Sequence, residues 1–115
     1  MNKDREYDLI VTIVNRGNAD IVIEASKKAG AQGGTVFYGR GTGINEVETF
    51  FGISIQPEKE VVFTLIKHDL TKSVIHSIIE KAGLSTPGKG ISFALPVDDV
   101  AGITHLTTPC SVEGR

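Results

Sequence analysis

The sequence has few of the residues around which catalytic and metal sites are usually built. Its single cysteine, Cys110, can form neither an intrachain disulfide nor a multi-thiolate metal site. The three histidines, His68, His76 and His105, lack the close spacing of metal ligands. No Ser–His–Asp set or pair of catalytic carboxylates stands out either. We therefore expect a protein that is not an enzyme, with no catalytic residues, no metal site and no catalytic cofactor.

The sequence also lacks a large net charge and a long hydrophobic run. A formal net charge of −2 gives no basic surface for nucleic acid, so no nucleic-acid partner is expected. No apolar run is long enough to cross a bilayer, and the first residues have no apolar signal core. We expect a cytoplasmic protein without direct membrane insertion. A length of 115 residues suits a single domain, 1–115.

An internal repeat predicts the architecture. The stretches from Asp8 to Gly30 and from Val61 to Gly83 have equal length and align without a gap. Each begins with an apolar, β-branched run of strand length and continues into a helical pattern that ends in Lys-Ala-Gly. The apolar helix positions follow a 3.6-residue period; they are Val74, Ile75, Ile78, Ile79 and Ala82 in the second copy and Ile21, Val22, Ala25 and Ala29 in the first.

A further strand follows each predicted helix, at Thr35–Tyr38 and at Ile91–Leu95. The order βαβ–βαβ predicts an α+β, ferredoxin-like sandwich: a four-stranded antiparallel sheet with two helices on one face. Four residues are candidates for capping the two helix starts: Asn18 or Asp20, and Asp69 or Thr71. The segment Thr49–Gln56 is apolar enough to begin an extended third strand.

Two glycine-rich segments have the composition of phosphate-binding loops. Gly39–Gly43 follows a predicted strand and contains an arginine, and Thr86–Gly90 precedes the last strand and contains a lysine. Glycine lets backbone N–H groups approach a phosphate, and the cations add charged donors. Neither segment completes a dinucleotide fingerprint or a P-loop. On composition alone, a flexible hairpin loop and a tight helix–strand turn remain open as alternatives.

The same residues resemble the PII family of signal-transduction proteins, specifically its divergent PII-like branch. The similarity runs from about Leu9 to about Ile103. It depends on the duplicated βαβ order, on Val36–Gly41 opening a long loop, and on Pro87–Ile91 before the last strand. The resemblance implies a homotrimer whose nucleotide sites lie between subunits. It also implies that segment 40–52 is a flexible T-loop-like segment, and 104–115 forms a C-terminal tail.

The resemblance also implies roles for individual residues. The nucleotide-binding residues would be Ile13 and Phe37 near the adenine, Gly39, Arg40 and Gly41 at the base of the T-loop, and Pro87, Gly88, Lys89 and Gly90 at the phosphates. The partner-binding loop would comprise Thr42, Gly43, Ile44, Asn45, Glu46, Val47 and Glu48. The partner implied is a regulated membrane transporter or channel, or less often an enzyme.

The sequence departs from the family pattern at its phosphate contacts. The paired C-terminal arginines of the family would fall near Gly102 and Thr104, and Gly41 replaces a glutamine that helps bind magnesium and 2-oxoglutarate. Fewer cations favour ADP, AMP or a cyclic adenine nucleotide as effector over ATP. Two alternatives stay open: a CutA-like trimeric protein with a metal-binding or structural role, and an interaction module without a ligand.

Overall fold

The computed structural model describes residues 5–41, 48–50, 53–55 and 57–102. In chain order the elements are β1 (Tyr7–Asn15), α1 (Ala19–Lys28), β2 (Thr35–Arg40), β3 (Glu48–Phe50), β4 (Ile53–Ile55), β5 (Glu58–Lys67), a short 3-10 helix (His68–Leu70), α2 (Thr71–Ala82) and β6 (Gly90–Val97). Apart from the small β3–β4 pair, this is the predicted βαβ–βαβ order, and it confirms the α+β, ferredoxin-like fold class.

The main sheet has the order β2-β5-β1-β6, with every neighbouring pair antiparallel. The first strands of the two repeats, β1 and β5, are the central strands and pair along their length, from Tyr7 opposite Lys67 to Asn15 opposite Lys59. The second strand of each repeat is an edge strand. This arrangement explains why the two predicted runs with the most continuous apolar character are the ones in the middle of the sheet.

The hydrophobic core lies between one face of the sheet and the two helices. Alternate side chains of the central strands point into it, among them Ile10 and Val14 from β1 and Val62 from β5. Val22 of α1 and Ile78 of α2 meet them from the helix layer. Each such fully buried side chain contributes about 1.5–3 kcal/mol to folding.

Ile21, by contrast, is 41% exposed, so its predicted place on the buried stripe of α1 was wrong. It immediately precedes the fully buried Val22, and adjacent helix positions lie about 100° apart around the axis. The narrow stripe of α1 therefore includes Val22 and Ala25 and leaves Ile21 outside it.

The helix starts are held differently from the prediction. Asn18 precedes α1 and Leu70 precedes α2, and neither start has a side-chain capping bond from the predicted residues. Instead, Glu60 of β5 accepts a hydrogen bond from the backbone N–H of Ala19 at 2.8 Å. A carboxylate is well suited to this place because a helix N-terminus carries partial positive charge. The predicted end of α2 is confirmed: Gly83 adopts the left-handed conformation at φ 70°.

The prediction that Thr49–Gln56 begins an extended third strand of the main sheet was wrong. The backbone from Glu48 to Phe50 pairs with the backbone from Ile53 to Ile55 in a separate two-stranded sheet, and the strand of the main sheet begins at Glu58. Pro57 has no N–H to donate to a ladder, although its carbonyl accepts from Gly41 N–H at 3.2 Å. The proline therefore separates the small hairpin from β5.

Candidate functional site

The fold brings both glycine-rich segments to the same end of the main sheet. Arg40 ends β2 opposite Glu58, and Gly90 begins β6 opposite Val14. The two segments lie on opposite edge strands, with β5 and β1 between them. Three strand spacings amount to roughly 14 Å. Within one chain, the two segments therefore share an end of the sheet but do not face each other directly.

The second glycine-rich segment is a tight turn with strict backbone requirements. Lys89 N–H donates to the carbonyl of Thr86, and Pro87 followed by Gly88 at φ 83° is the signature of a type II turn. Gly90 has φ 143°, and a Cβ there would lie 2.4 Å from the carbonyl oxygen of Ile13. These glycines are thus required by the backbone itself, and the assignment of phosphate contacts to Gly88, Lys89 and Gly90 stays a prediction.

A row of apolar side chains crosses the sheet next to this end. Phe37, Val61, Ile13 and Ile91 are successive cross-strand partners on the four strands. Directly opposed residues point to the same face, and this face is the one without helices. Phe37 is 46% exposed and Ile91 56% exposed. The row gives a planar apolar ligand, such as a nucleobase, a surface to lie on, and it includes both predicted adenine contacts, Ile13 and Phe37.

A polar row follows the apolar row at the end of the same face. Lys59, which is opposite Gly39, donates from Nζ to Asn15 Oδ1 at 2.7 Å. Asn15 in turn donates from Nδ2 to the carbonyl of Gly88 at 3.0 Å. One side-chain amide therefore links the strand after the long loop to the type II turn. Asn15 and Lys59 have no local sequence signal, because only the fold puts Asn15 beside Gly88 and Lys59 opposite Gly39.

Charged residues line an open cavity of about 550 Å³ at the β2–β5 corner of this end. The charged and aromatic lining consists of Arg16, Tyr38, Arg40, Glu58, Lys59 and Glu60. Glu58 forms an ion pair with Arg16. Arg40, by contrast, is exposed and has no ion pair or side-chain hydrogen bond with any residue that the structure describes. Among the described residues, nothing therefore competes with an anionic ligand for its guanidinium.

Arg40 and Phe37 leave opposite faces of β2. They are three residues apart on one strand, and strand side chains alternate with a period of two. Arg40 shares its side of the sheet with its partner Glu58, on the side that carries the helices, whereas Phe37 is on the open face. The predicted nucleotide-binding residues of one chain therefore divide between two surfaces at the same end of the sheet.

Other predicted candidates lie away from this end or outside the described residues. His68 contacts Asp8 and His76 contacts Glu80, and no group of three metal-ligand side chains occurs within residues 5–41, 48–50, 53–55 and 57–102. His105, Cys110 and the tail 104–115 lie outside the described residues, as do Thr42, Gly43, Ile44, Asn45, Glu46 and Val47 of the partner-binding loop. Of that loop only the backbone of Glu48, the first residue of β3, is described.

At the opposite end of β1, Asp8 forms a buried polar cluster. Its carboxylate accepts hydrogen bonds from Thr71 Oγ1 at 2.7 Å, from Arg5 Nε at 2.6 Å and from the His68 ring at 2.8 Å. Burial opposes ionisation, but the bonds from Thr71, His68 and Arg5 outweigh it and lower the pKa of Asp8 below its ordinary value. The cluster ties β1 to the start of α2, so its role is structural.

Comparison with known proteins places the chain among regulatory proteins. A family model described as nitrogen regulatory protein P-II matches residues 7–105. The crystal structure of Arabidopsis thaliana PII bound to citrate is similar, with a TM-score of 0.70 and 30% sequence identity over 93% of this chain and 92% of that one. No curated protein matches. No helix among the described residues is long and apolar enough to cross a membrane.

Proposed function

The chain belongs to the nitrogen regulatory protein P-II family, and from that premise we propose that it is a cytoplasmic signal-transduction protein that binds an adenine nucleotide. The nucleotide occupies clefts between the subunits of a homotrimer and controls binding to a partner protein. The observation that supports this most directly is the shared end of the sheet. At that end, the apolar row that contains Phe37 and Ile13 lies next to the two glycine-rich segments. Arg40 lines the cavity at the corner of the same end.

The division of the site between two surfaces supports a cleft between subunits. One chain offers the open face with the proposed adenine contacts, and Arg40 lies on the other side of the sheet. The open face also exposes large apolar side chains on the edge strand β6, including Phe93 and Leu95. Exposed apolar surface of this kind marks an interface. In an assembled trimer, the face of one subunit and the corner of the next complete one site.

The effector that we propose is an adenine nucleotide: ADP, AMP, ATP or a cyclic form. An apolar surface suits the base, while Arg40 and Lys89 suit phosphate oxygens. The similar Arabidopsis protein is bound to citrate, which supports a small anionic effector in general. Citrate is therefore the second ligand to compare with the nucleotides.

Regulation then acts through the T-loop-like segment 40–52. Arg40 is both the last residue of β2 and the foot of this segment, so a ligand that binds Arg40 favours particular conformations of the loop. We propose that Thr42 to Glu48 contact the partner, a membrane transporter or channel, or an enzyme. No catalytic step is needed, in keeping with a regulatory family. A CutA-like metal-binding role has no comparable support, because the family model that matches this chain is that of nitrogen regulatory protein P-II.

Isothermal calorimetry with a panel of adenine nucleotides and citrate tests the proposal. We expect Arg40→Ala and Lys89→Ala each to weaken nucleotide binding by about 1.5–3 kcal/mol, the scale of a charged hydrogen bond. Lys72→Ala is the control, because Lys72 is an exposed cation on α2. If no adenine nucleotide binds the wild-type protein, the proposal is wrong.

A further inference from the structure

Glu58 occupies a fixed place beside the cation that the proposed ligand needs. It is the direct cross-strand partner of Arg40, and the next backbone contact, from Gly41 N–H to the carbonyl of Pro57, continues the pairing by one step. The Cα atoms of opposed residues in an antiparallel pair are about 5 Å apart. A phosphate on Arg40 therefore lies close to the carboxylate of Glu58, whatever the conformation of the loop beyond.

The carboxylate of Glu58 offsets cationic charge at this corner. The cavity lining includes three cations, Arg16, Arg40 and Lys59, and two carboxylates, Glu58 and Glu60. Glu60 is buried and accepts a hydrogen bond from the backbone N–H of Ala19, so its charge interacts with the N-terminus of α1. Glu58 is more than half exposed and pairs with Arg16, so its charge faces the same solvent-filled space as Arg40. The lining as a whole carries one net positive charge.

We infer that Glu58 sets the charge of the nucleotide that the site accepts, and that it favours a nucleoside monophosphate or a cyclic nucleotide over a triphosphate. The inference rests on the proposed function. A ligand with one phosphate gains the contact with Arg40 and meets limited repulsion. Each further phosphate adds negative charge near Glu58 without a second unengaged cation from the lining, because Arg16 and Lys59 already have partners.

Two substitutions test the inference in opposite directions. Glu58→Gln removes the carboxylate and leaves an amide of the same size, so ATP affinity should rise about tenfold relative to AMP affinity. Arg16→Gln leaves the carboxylate without its partner, so the ratio of ATP to AMP affinity should fall. Glu80→Gln is the matched control, because it makes the same change in net charge on the exposed side of α2 and should leave the ratio unchanged.

The measurement is calorimetry with AMP, cyclic AMP, ADP and ATP at low and at high salt, with thermal melting to show that each variant folds. The shift produced by Glu58→Gln should shrink at high salt, because ions screen exposed charges. If the wild type prefers ATP to AMP, or if both variants bind with an unchanged ratio, the inference is wrong while the proposed function stands. If no nucleotide binds at all, both are wrong.

Discussion

Asp8 shows at the scale of one residue how a buried charge stabilises this fold. Its side chain is 1% exposed, and it is held by Arg5, His68 and Thr71, which come from the chain before β1 and from the start of the second helical unit. A buried carboxylate is costly unless hydrogen bonds satisfy it. Three donors do so here, and two of them, His68 and Thr71, are 60 or more residues from Asp8 in sequence.

Asp8→Asn should lower the free energy of unfolding by about 2–3 kcal/mol at neutral pH, because the charged hydrogen bonds are lost or weakened. Chemical denaturation measures the change. Asp98→Asn is the control, since Asp98 is exposed beyond the end of β6, and it should change stability little. An equal effect of both substitutions would contradict the structural role of Asp8.

The lowered pKa of Asp8 also predicts a pH dependence. The folded protein holds this carboxylate ionised more firmly than the unfolded chain does, so the contribution to stability is fully present above the unfolded pKa of about 4. It is lost as the pH falls below that value and through the lower folded pKa. Denaturation curves between neutral and acid pH should therefore converge for wild type and Asp8→Asn only in the acid range.

At the scale of elements, the turn from Thr86 to Gly90 determines how β6 joins the sheet. Asn15 binds the carbonyl of Gly88, and the bare backbone of Gly90 lies against the carbonyl of Ile13. The turn is thus held to β1 by both a hydrogen bond and close packing. The proposed phosphate contacts depend on this placement, because it fixes the backbone position of Lys89.

A pair of glycine substitutions compares backbone strain alone with strain plus steric overlap in this turn. The Cβ added by Gly88→Ala would lie in open space. The substitution should therefore lower the free energy of unfolding only by the strain of a left-handed alanine, about 1–2 kcal/mol. Gly90→Ala combines the strain of a positive φ with a Cβ that would overlap the Ile13 carbonyl, so it should cost about 3 kcal/mol or more. Thermal melting of both variants provides the comparison. Equal losses would mean that β6 can move away from β1 without penalty.

At the scale of the whole molecule, the face of the main sheet without helices exposes several large apolar side chains. The helices cover the other face, whereas Phe37, Ile91, Phe93 and Leu95 remain exposed in a single chain. A cavity of about 650 Å³ at the far end of the same face is lined by further apolar groups, including Leu65. Association of subunits through this face would bury these side chains together.

Leu95→Glu should therefore dissociate the proposed trimer, because it places a charge among the exposed apolar side chains of the associating face. Light scattering after size-exclusion chromatography measures the mass. Ile21→Glu is the matched control: Ile21 is 41% exposed and Leu95 46%, but Ile21 lies on α1, away from the open face. A trimer that survives Leu95→Glu, or one that both substitutions dissociate, would contradict this interface.

The sequence by itself determined the two helices, the four strands of the main sheet and their order. The repeat, the 3.6-residue stripes and the Lys-Ala-Gly helix ends are local patterns, and they predicted the two helices and the strands of the main sheet because local backbone preference and burial agree there. Local pattern gave a wrong prediction at Thr49–Gln56, where Pro57 separates the β3–β4 pair from β5. It also failed at Ile21, which is apolar but lies outside the buried stripe of α1. The glycine-rich segments were likewise recognisable, but only as two separate signals.

Only the tertiary structure decided which residues lie next to the two glycine-rich segments. Strand register puts Asn15 beside Gly88, Lys59 opposite Gly39, and Glu58 opposite Arg40. Glu60 replaces the local helix cap for the same reason, since it reaches the start of α1 from a distant strand. These contacts join residues more than 15 positions apart, and their partners depend on how the strands align rather than on neighbouring sequence. The glycine-rich loops could thus be found from sequence, whereas the charges around them could be found only in the folded sheet.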